Sequence, residues 1–304
     1  MLTVDTKDFG NGVVRGAVSS KTTMGNLVGH AAPGSFFLLF AIWWTIKYSI
    51  MWASRMGGRK TSSAVCCRNA PLVCRFLSRV PVEGLCKIVF ALGGLMCEQI
   101  AAHWTLINPI TGEFHLLGNW QHTTMYLFFA LNGFCDVLVA LKAPVPSGID
   151  YLSMSLALAV EGVLFFYHLH GRADLDVRLH KLLLLAVAPS VVVSSLEAWR
   201  PDTLLLPMIR TAFTLLQGTW FWQVGFILYP PFPGHDWDPD SHENMMFVSM
   251  AFCWHILGIL LFMCVVYTVV YHIYQAKEKQ LGNDMELGPL SSHMLQAHSD
   301  SELD

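Results

Sequence analysis

Long apolar runs alternate with short polar segments along most of the chain. The runs lie at about residues 35–53, 82–104, 119–141, 149–168, 178–198, 206–228 and 245–274. About 20 apolar residues, at 1.5 Å per helical residue, cover the roughly 30 Å hydrocarbon core of a bilayer. Strands of a membrane barrel would alternate apolar and polar positions, whereas the run from Leu182 to Val187 is continuous. The pattern predicts an all-α, polytopic membrane protein, a bundle of seven transmembrane helices over residues 33–274.

The composition agrees with lipid as the main solvent of the chain. Hydrophobic residues make up 54% of the 304 residues and charged residues only 13%, whereas a soluble domain carries about a quarter charged residues. This disfavours a soluble enzyme with a large core. The net charge is −3, and no basic stripe with interleaved aromatic residues occurs. We therefore expect the lipid bilayer as a partner and no nucleic acid, and the sequence identifies no protein partner.

Lysine and arginine residues are concentrated on one side of the predicted bundle. Ten lie in the loops on that side or just after the last span: Arg55, Arg59, Lys60, Arg68, Arg75, Arg79, Lys142, Arg200, Lys277 and Lys279. The loops at 105–118 and 229–244, on the opposite side, contain none. Because cytosolic loops carry the excess of positive charge, we expect a lumenal or extracellular N-terminus and a cytosolic C-terminus.

Two polar segments flank the predicted bundle. Residues 1–32 form a polar N-terminal segment, in which Met24 is an alternative translation start. Residues 275–304 lose the apolar periodicity and end in Ser-Asp-Ser-Glu-Leu-Asp. Such a segment buries too little apolar surface to fold alone, so we expect a disordered acidic tail in the cytosol.

Three cysteines lie in the basic loop after the first span: Cys66, Cys67 and Cys74. Cysteines beside a membrane span are typical of S-palmitoylation sites, so these three are lipidation candidates. Reduced, unmodified thiols are the alternative. The eight cysteines avoid the predicted lumenal loops, which disfavours a disulfide framework.

Ionisable side chains within the spans are costly in lipid and mark functional sites by default. Several lie at similar depth in the predicted lumenal leaflet, on different spans. The first candidates for a shared polar or metal site are Glu98, His122, Glu161, His168 and His255, and the second are His103, His170, His180 and Gln217.

Three interpretations of this layer stay open. Imidazole and carboxylate ligands suit zinc and other transition metals, and histidines on facing helices suit haem. The same groups relay protons, because histidine titrates near neutrality. They also join helices by hydrogen bonds with no further role. Ligand spacing does not decide: no His-x-x-x-His pair occurs, and His242-Glu243 is followed by Met246 where a zinc-protease helix needs histidine.

The predicted cytosolic half contains a second set of charges: Lys47, Glu83, Lys87, Asp136, Glu197 and Arg210. Charges within a bundle pair with one another or line a path for a substrate. We expect pairing inside the bundle, with a substrate path open to the cytosol as the alternative.

Short motifs connect the chain to a known family. They are Gly29-His30-Ala31, Pro33-Gly34, Glu98-Gln99, Trp120-Gln121-His122, Thr124-Met125-Tyr126, Glu161-Gly162, Tyr167-His168-Leu169-His170, Gln217-Gly218-Thr219-Trp220 and Cys253-Trp254-His255. In these residues, over about residues 24–274, the chain resembles the transmembrane protein 45 family. Residues 1–23, the loop at 55–79, the acidic tail and the His242-Glu243 pair are not part of the resemblance.

The resemblance implies a multi-pass protein of the endomembrane system (Golgi, endosome, lysosome) or the plasma membrane. It implies no settled activity and a loose association with host defence. We accordingly expect a membrane factor of unassigned molecular activity, linked to trafficking or host defence. One alternative is a membrane-embedded enzyme dependent on a metal or haem, with its site in the lumenal leaflet, and another is a proton-coupled transporter that uses the same polar layer. The sequence has neither a phosphate-binding glycine loop nor a Gly-x-Ser-x-Gly elbow. No motif therefore identifies a reaction, and whether the chain is an enzyme stays open.

Overall fold

The structure, a computed structural model, describes residues 27–56 and 81–300 apart from 233 and 235, and side chains only as far as residue 280. Its described residues form seven helices. They are α1 (Leu27–Met56), α2 (Val82–Ala101), α3 (Leu117–Ala140), α4 (Ile149–Tyr167), α5 (Asp174–Trp199), α6 (Leu205–Leu228) and α7 (His242–Asp300). Each of the seven predicted spans corresponds to one of these helices, in the same order.

Six of the seven helices are long and apolar enough to cross a membrane, and α6 is the exception. Twelve of its 24 residues are buried, and they include Arg210, Thr211 and Gln217. A helix covered by other helices has no need of an apolar lipid-facing surface, so its burial accounts for its polarity. The protein is an integral, polytopic, all-helical membrane protein.

The helices differ from the predicted segments at both ends of the bundle. α1 begins at Leu27 and includes Pro33, so the last six residues of the predicted polar segment 1–32 are helical. α7 continues to Asp300, where the sequence predicts a disordered tail over 275–304. Residues 275–300 contain many good helix formers such as Gln, Ala, Lys, Glu, Leu and Met. They follow an existing helix, so no costly nucleus has to form.

Two helix pairs cross at facing glycines. A Cβ atom on Gly84 of α2 would lie 2.8 Å from the Gly133 carbonyl oxygen of α3. A Cβ on Gly34 of α1 would lie 3.1 Å from the carbonyl oxygen of Gly218 in α6. Small residues at crossings let helix backbones approach in a membrane, so these glycines determine how closely α2–α3 and α1–α6 pack.

Helices that follow one another from α2 to α6 pack side by side, and α1 closes against α6. The indole of Trp220 on α6 is fully buried, and its Nε1 donates a hydrogen bond to the Leu179 carbonyl of α5 at 3.0 Å. α7 packs on α1, α5 and α6. Only 17% of its most apolar stretch is buried, so α7 presents a broad apolar surface to the lipid.

Candidate functional site

Polar side chains collect at the two opposite ends of the bundle. The histidine end comprises the N-terminal ends of α1, α3 and α5 and the C-terminal ends of α2, α4 and α6, with His30, His122, His168 and His180. The ion-pair end comprises the other termini of these six helices, with Lys47, Glu83, Lys87, Asp136, Glu197 and Arg210. Because neighbouring helices are antiparallel, the start of one helix lies beside the end of the next. Polar side chains from several helices therefore meet at each end of the bundle.

At the histidine end, Glu98 joins α2 to α3. Its Oε1 lies 3.1 Å from Nδ1 of His122, and its Oε2 accepts a hydrogen bond from Nδ2 of Asn119 at 2.7 Å. Asn119 and His122 are three residues apart, so they share a helical face. Both oxygens of the Glu98 carboxylate are thereby engaged, while His122 keeps 32% of its side chain exposed.

His168, directly after α4, lies next to this pair. Its ring centroid is 6.0 Å from that of His122 and 6.4 Å from that of His180. Its Nδ1 lies 2.6 Å from Oε1 of Gln121, and its Nε2 contacts the guanidinium of Arg172. Because arginine only donates, Nε2 is the acceptor and the Nδ1–H donates to Gln121. Burial, followed by Arg172 and the two neighbouring histidines, lowers the pKa of His168 to about 3, so its imidazole is neutral at physiological pH.

Asp176 on α5 connects Arg172 to His180 at the histidine end. Its carboxylate lies 2.7 Å from Nη1 of Arg172 and 2.7 Å from Nδ1 of His180. The ring of His180 in turn lies 5.9 Å from that of His30 on α1. Arg172, Asp176 and His180 are spaced four residues apart, which places them on one helical face. This spacing was a signal in the sequence for the role of Asp176.

Glu161 of α4 differs from every other carboxylate of this end. Its side chain is fully buried, and neither carboxylate oxygen has a hydrogen-bond partner among the described residues. The Tyr126 phenol of α3 lies within electrostatic reach of both Glu98 and Glu161. The ring of Tyr126 occupies the space over Gly94, where a Cβ would lie 2.6 Å from it. The candidate set did not include Tyr126, although the residue lies one turn beyond His122.

The remaining candidates lie elsewhere. His255 packs edge-on against Trp220, with 5.3 Å between ring centroids. His103 and His170 are exposed. Gln217 is fully buried, and its Nε2 donates to Oγ of Ser190 at 2.8 Å.

The structure therefore brings Glu98, His122 and His168 together and adds His180 from the second choices. Among the described residues, Glu161 has no hydrogen-bond partner and His255 packs on Trp220, so neither takes part in the contacts that join Glu98, His122 and His168. Within the part of the chain that the structure describes, no group of three or more His, Cys, Asp or Glu side chains is placed to hold a metal ion. Zinc takes at least three protein ligands, so the donors at the histidine end do not fit a zinc site.

Among the described residues, the six predicted charges of the ion-pair end form three ion pairs, which confirms the expectation that they pair inside the bundle. Lys47 Nζ lies 2.9 Å from Glu83, Lys87 Nζ lies 2.7 Å from Asp136, and Arg210 Nε lies 2.7 Å from Glu197. The first pair joins α1 to α2, the second α2 to α3, and the third α5 to α6. The glycine crossing of α2 and α3 brings Lys87 within reach of Asp136.

Trp44 of α1 lies at the centre of these pairs. Its Nε1 donates to Oε1 of Glu83 at 2.7 Å, and its ring lies 4.2 Å from the guanidinium of Arg210 and 5.3 Å from Nζ of Lys87. Cations over an indole face are attracted by its electron density. One tryptophan thus contacts a charge from each of the three pairs.

A cavity of about 50 Å³ lies within the ion-pair end. Residues of α1 to α6 line it, among them Tyr48, Lys87, Asp150, Ser194 and Arg210. The Nη2 of Arg210 donates to the Tyr48 hydroxyl at 3.0 Å. The lipidation candidates Cys66, Cys67 and Cys74 lie outside the described residues.

Comparison with known proteins gives a consistent result. Residues 147–268, from the start of α4 into α7, match a family of unknown function (DUF716). The chain is 28% identical over 218 residues to human (Homo sapiens) transmembrane epididymal protein 1, which covers 69% of this chain and 79% of that protein. It is 26% identical over 264 residues to transmembrane epididymal protein 1A of Mus musculus, with 81% of each chain covered. It is 28% identical over 251 residues to transmembrane epididymal protein 1 of Rattus norvegicus, with 77% of each covered. The chain is thus a multi-pass membrane protein of unassigned molecular activity, similar to a family of unknown function and to transmembrane epididymal proteins.

Proposed function

We propose that the chain crosses the bilayer seven times, with the histidine end lumenal or extracellular and the ion-pair end and C-terminus cytosolic. α6 is about 36 Å long at 1.5 Å per residue, which is enough to span, and it packs between α1 and α5. The excess of Lys and Arg in the loops of the ion-pair end supports the orientation. A tag after residue 280 should be accessible only from the cytosol, and a tag within 229–244 only from the other side. Two tags on one side would contradict this topology.

The molecular function that the geometry supports best is proton-linked transport. The observation that carries it is Glu161, a fully buried carboxyl group without a hydrogen-bond partner among the described residues. An isolated carboxylate away from water is very costly, so such a group holds its proton until a partner or water reaches it. A carboxyl group that loses and regains a proton as helices move is a common element of proton-coupled transporters.

The surroundings of Glu161 supply a route for that proton. Tyr126 interacts electrostatically with both Glu161 and Glu98. Glu98 contacts Nδ1 of His122, whose side chain is 32% exposed. In this proposal the proton passes between Glu161 and the lumenal surface through these groups. Opening towards the ion-pair end would release it to the cytosol.

The test uses the purified protein in liposomes that contain a pH-sensitive dye. A pH gradient is imposed under a potassium–valinomycin clamp, with and without small zwitterions, anions and cations outside. We expect proton flux that Glu161→Gln abolishes, because glutamine has nearly the same shape and cannot carry the proton. Glu243→Gln, at an exposed carboxylate of the same end, is the matched control and should keep the flux. Equal flux in wild type and Glu161→Gln under all conditions would refute the proposal.

The cellular setting is proposed from the resemblance to the transmembrane protein 45 family. We place the protein in the endomembrane system (Golgi, endosome, lysosome) or at the plasma membrane, with a role in trafficking or host defence. Co-localisation of the tagged protein with organelle markers tests the setting, and a distribution confined to mitochondria would contradict it.

Acylation of Cys66, Cys67 and Cys74 is part of the same proposal. Replacing all three with serine should abolish hydroxylamine-sensitive acyl labelling. Undiminished labelling of the triple variant would place the acyl groups elsewhere.

A further inference from the structure

The connection between α2 and α3 is an ordered hairpin at the histidine end, which comprises residues 104–117. Ile107 and Phe114 face each other in an antiparallel bridge. In the turn, Oδ1 of Asn108 accepts a hydrogen bond from the backbone N–H of Ile110 at 2.9 Å. These contacts give the hairpin a defined backbone conformation, so the direction of its side chains is fixed as well.

The outside of this hairpin is apolar. Its exposed large apolar side chains are Trp104, Leu106, Ile107, Ile110, Phe114, Leu116 and Leu117. Ile110 in the turn is 93% exposed and Phe114 is 69% exposed. Residues directly opposite each other in a bridge lie on the same face, so Phe114 and Ile107 present one apolar face. An apolar surface of this kind marks a contact with a membrane or with another protein.

The position of the hairpin relative to the bilayer favours lipid as the occupant. α2 has 20 residues, which at 1.5 Å per residue gives about 30 Å, the thickness of the hydrocarbon core. Trp104, three residues after the end of α2, therefore lies in the headgroup layer, where tryptophan is enriched. Ile100, in the last turn of α2, is 62% exposed. The lipid-facing surface of α2 thus continues directly into the hairpin.

The charge of the hairpin agrees with a lipid surface. Residues 105–118 contain no Lys or Arg, and Glu113 is their one carboxylate. A contact with anionic lipids or with an acidic protein depends on clustered cations. The hairpin has none, so apolar insertion among neutral phospholipids is the contact that its composition fits.

The backbone of the hairpin determines how deep it lies. His103 and Trp104 after α2, and Leu116 before α3, have φ angles of 53°, 56° and 48°. Residues in this left-handed region end helices and redirect the chain, so the hairpin leaves the axes of both helices. Irregular backbone is not accepted by hydrocarbon. The backbone therefore stays at the level of the headgroups, and only side chains reach towards the acyl chains.

We propose that the hairpin lies on the bilayer surface at the histidine end and inserts Ile110 and Phe114 among the headgroups of that leaflet. Trp120 of α3 donates from Nε1 to the Thr105 carbonyl at 3.3 Å, which ties the base of the hairpin to the first turn of α3. The hairpin thereby anchors the start of α3 at the headgroup layer. This inference is independent of proton transport and of the side of the membrane that the histidine end faces.

Quenching of a fluorescent side chain by labelled lipids tests the contact. In separate preparations of the full-length protein, Ile110 or Asp240 is replaced by a dansyl amino acid through amber suppression, so the native cysteines play no part. Asp240 is the matched control, because it is exposed in the connection between α6 and α7 at the same end of the bundle. The proteins are reconstituted in phosphatidylcholine nanodiscs with a nitroxide on the lipid headgroup or at the end of the acyl chain. Iodide serves as the quencher in water.

We expect the headgroup nitroxide to quench the probe at residue 110 more strongly than the acyl-chain nitroxide does, and iodide to quench it less than the probe at residue 240. Adding Phe114→Asn should lower the headgroup quenching at residue 110 towards the level at residue 240, because the hairpin loses its second inserted side chain. Glu113→Gln is the control for that variant and should leave the quenching unchanged. Glu113 is exposed, and neighbouring residues of a strand point to opposite faces.

Two results would overturn the proposal. Iodide quenching at residue 110 equal to that at residue 240, without an effect of the nitroxide lipids, would place the hairpin in water. Protection from iodide and from both nitroxides would mean that protein covers the hairpin, either a second copy of the chain or a segment outside the described residues. Both results come from the probe at residue 110 alone, so they decide even if Phe114→Asn does not fold.

Discussion

The two ends of the bundle use polar residues in different ways. At the ion-pair end the polar groups are lysine, arginine, aspartate and glutamate side chains in pairs, and Lys47, Lys87, Arg210 and Glu197 each keep 7% or less of the side chain exposed. At the histidine end the central groups are imidazoles, whose charge depends on pH, and the His122–Glu98 pair is partly exposed. Permanent charges in a low dielectric have to be matched one to one, whereas imidazoles are stable there when neutral. The ion-pair end is therefore expected to resist change, and the histidine end to respond to protons.

The largest effect is expected from breaking the Arg210–Glu197 pair. Arg210→Met leaves Glu197 buried without its cation, which should destabilise the protein by about 3–5 kcal/mol. Adding Glu197→Gln to that variant should recover much of the loss, because no lone charge then stays buried. Thermal or denaturant unfolding in detergent measures both.

The matched substitution at the histidine end is Arg172→Met. Arg172 pairs with Asp176 four residues along the same helical face, and Asp176 keeps His180 as a partner. We expect the free energy of unfolding to fall by about 1 kcal/mol or less, as for other ion pairs at this spacing. A loss as large as that of Arg210→Met would remove the distinction between the two ends.

The next effect concerns the glycine crossing that positions the ion pairs. Gly84→Ala puts a Cβ atom 2.8 Å from the Gly133 carbonyl oxygen, so α2 and α3 have to separate. Overpacking of this kind costs about 1–3 kcal/mol, and it moves Lys87 away from Asp136. The control is Gly93→Ala on the same helix, where a Cβ meets nothing within 4 Å. That control should be neutral or slightly stabilising, because alanine favours helix, and unfolding of the two variants side by side measures the difference.

A smaller effect is expected from pH at the histidine end. The pKa of His168 is lowered to about 3 in the folded protein, against about 6.5 in an unfolded chain. Between these two pKa values the unfolded chain binds more protons than the folded protein does. The free energy of unfolding is therefore highest above about pH 6.5 and decreases as the pH falls below that value. The melting temperature should therefore drop from pH 7 to pH 5, and His168→Gln should drop less. His170→Gln, at an exposed histidine, should follow the wild type.

Depth in the bilayer is the part of this architecture that can be read from the sequence. Lipid requires about 20 apolar residues per crossing, and the predicted segment 82–104 accordingly matches α2 at Val82–Ala101. Depth also grouped Glu98, Glu161 and His255 in one layer. It does not give the direction in which a side chain points around the bundle, and that direction depends on how the helices pack. Among the described residues, the hydrogen-bond partners of Glu98 are accordingly Asn119 and His122, whereas Glu161 has none and His255 packs on Trp220.

The sequence predicted that the charges of the ion-pair end would pair, but not which residue pairs with which. Charges within a bundle have to find partners, so pairing of the six charges at the ion-pair end followed from their number and depth. The choice of Asp136 for Lys87 depends on the Gly84–Gly133 crossing, which no pattern of charges contains. The absence of a hydrogen-bond partner for Glu161 among the described residues is likewise a property of packing. It emerged only once the helices were assembled.

The smallest effect on stability, and the sharpest comparison, is expected from His122→Gln. Glutamine can keep a hydrogen bond to Glu98, and Asn119 continues to donate to the other carboxylate oxygen. Hydrogen bonds between helices in membranes average about 0.6 kcal/mol, so the free energy of unfolding should change by no more than about that amount. Glutamine does not titrate, however, so proton flux in liposomes should fall if His122 carries protons to Glu98. Thr123→Ser, at the next residue, keeps the hydroxyl that accepts from Gln99 and should change neither quantity. A large loss of stability with unchanged flux would mean that His122 holds α2 and α3 together as the ion pairs do, and the proton route would then have to leave Glu98 by another group.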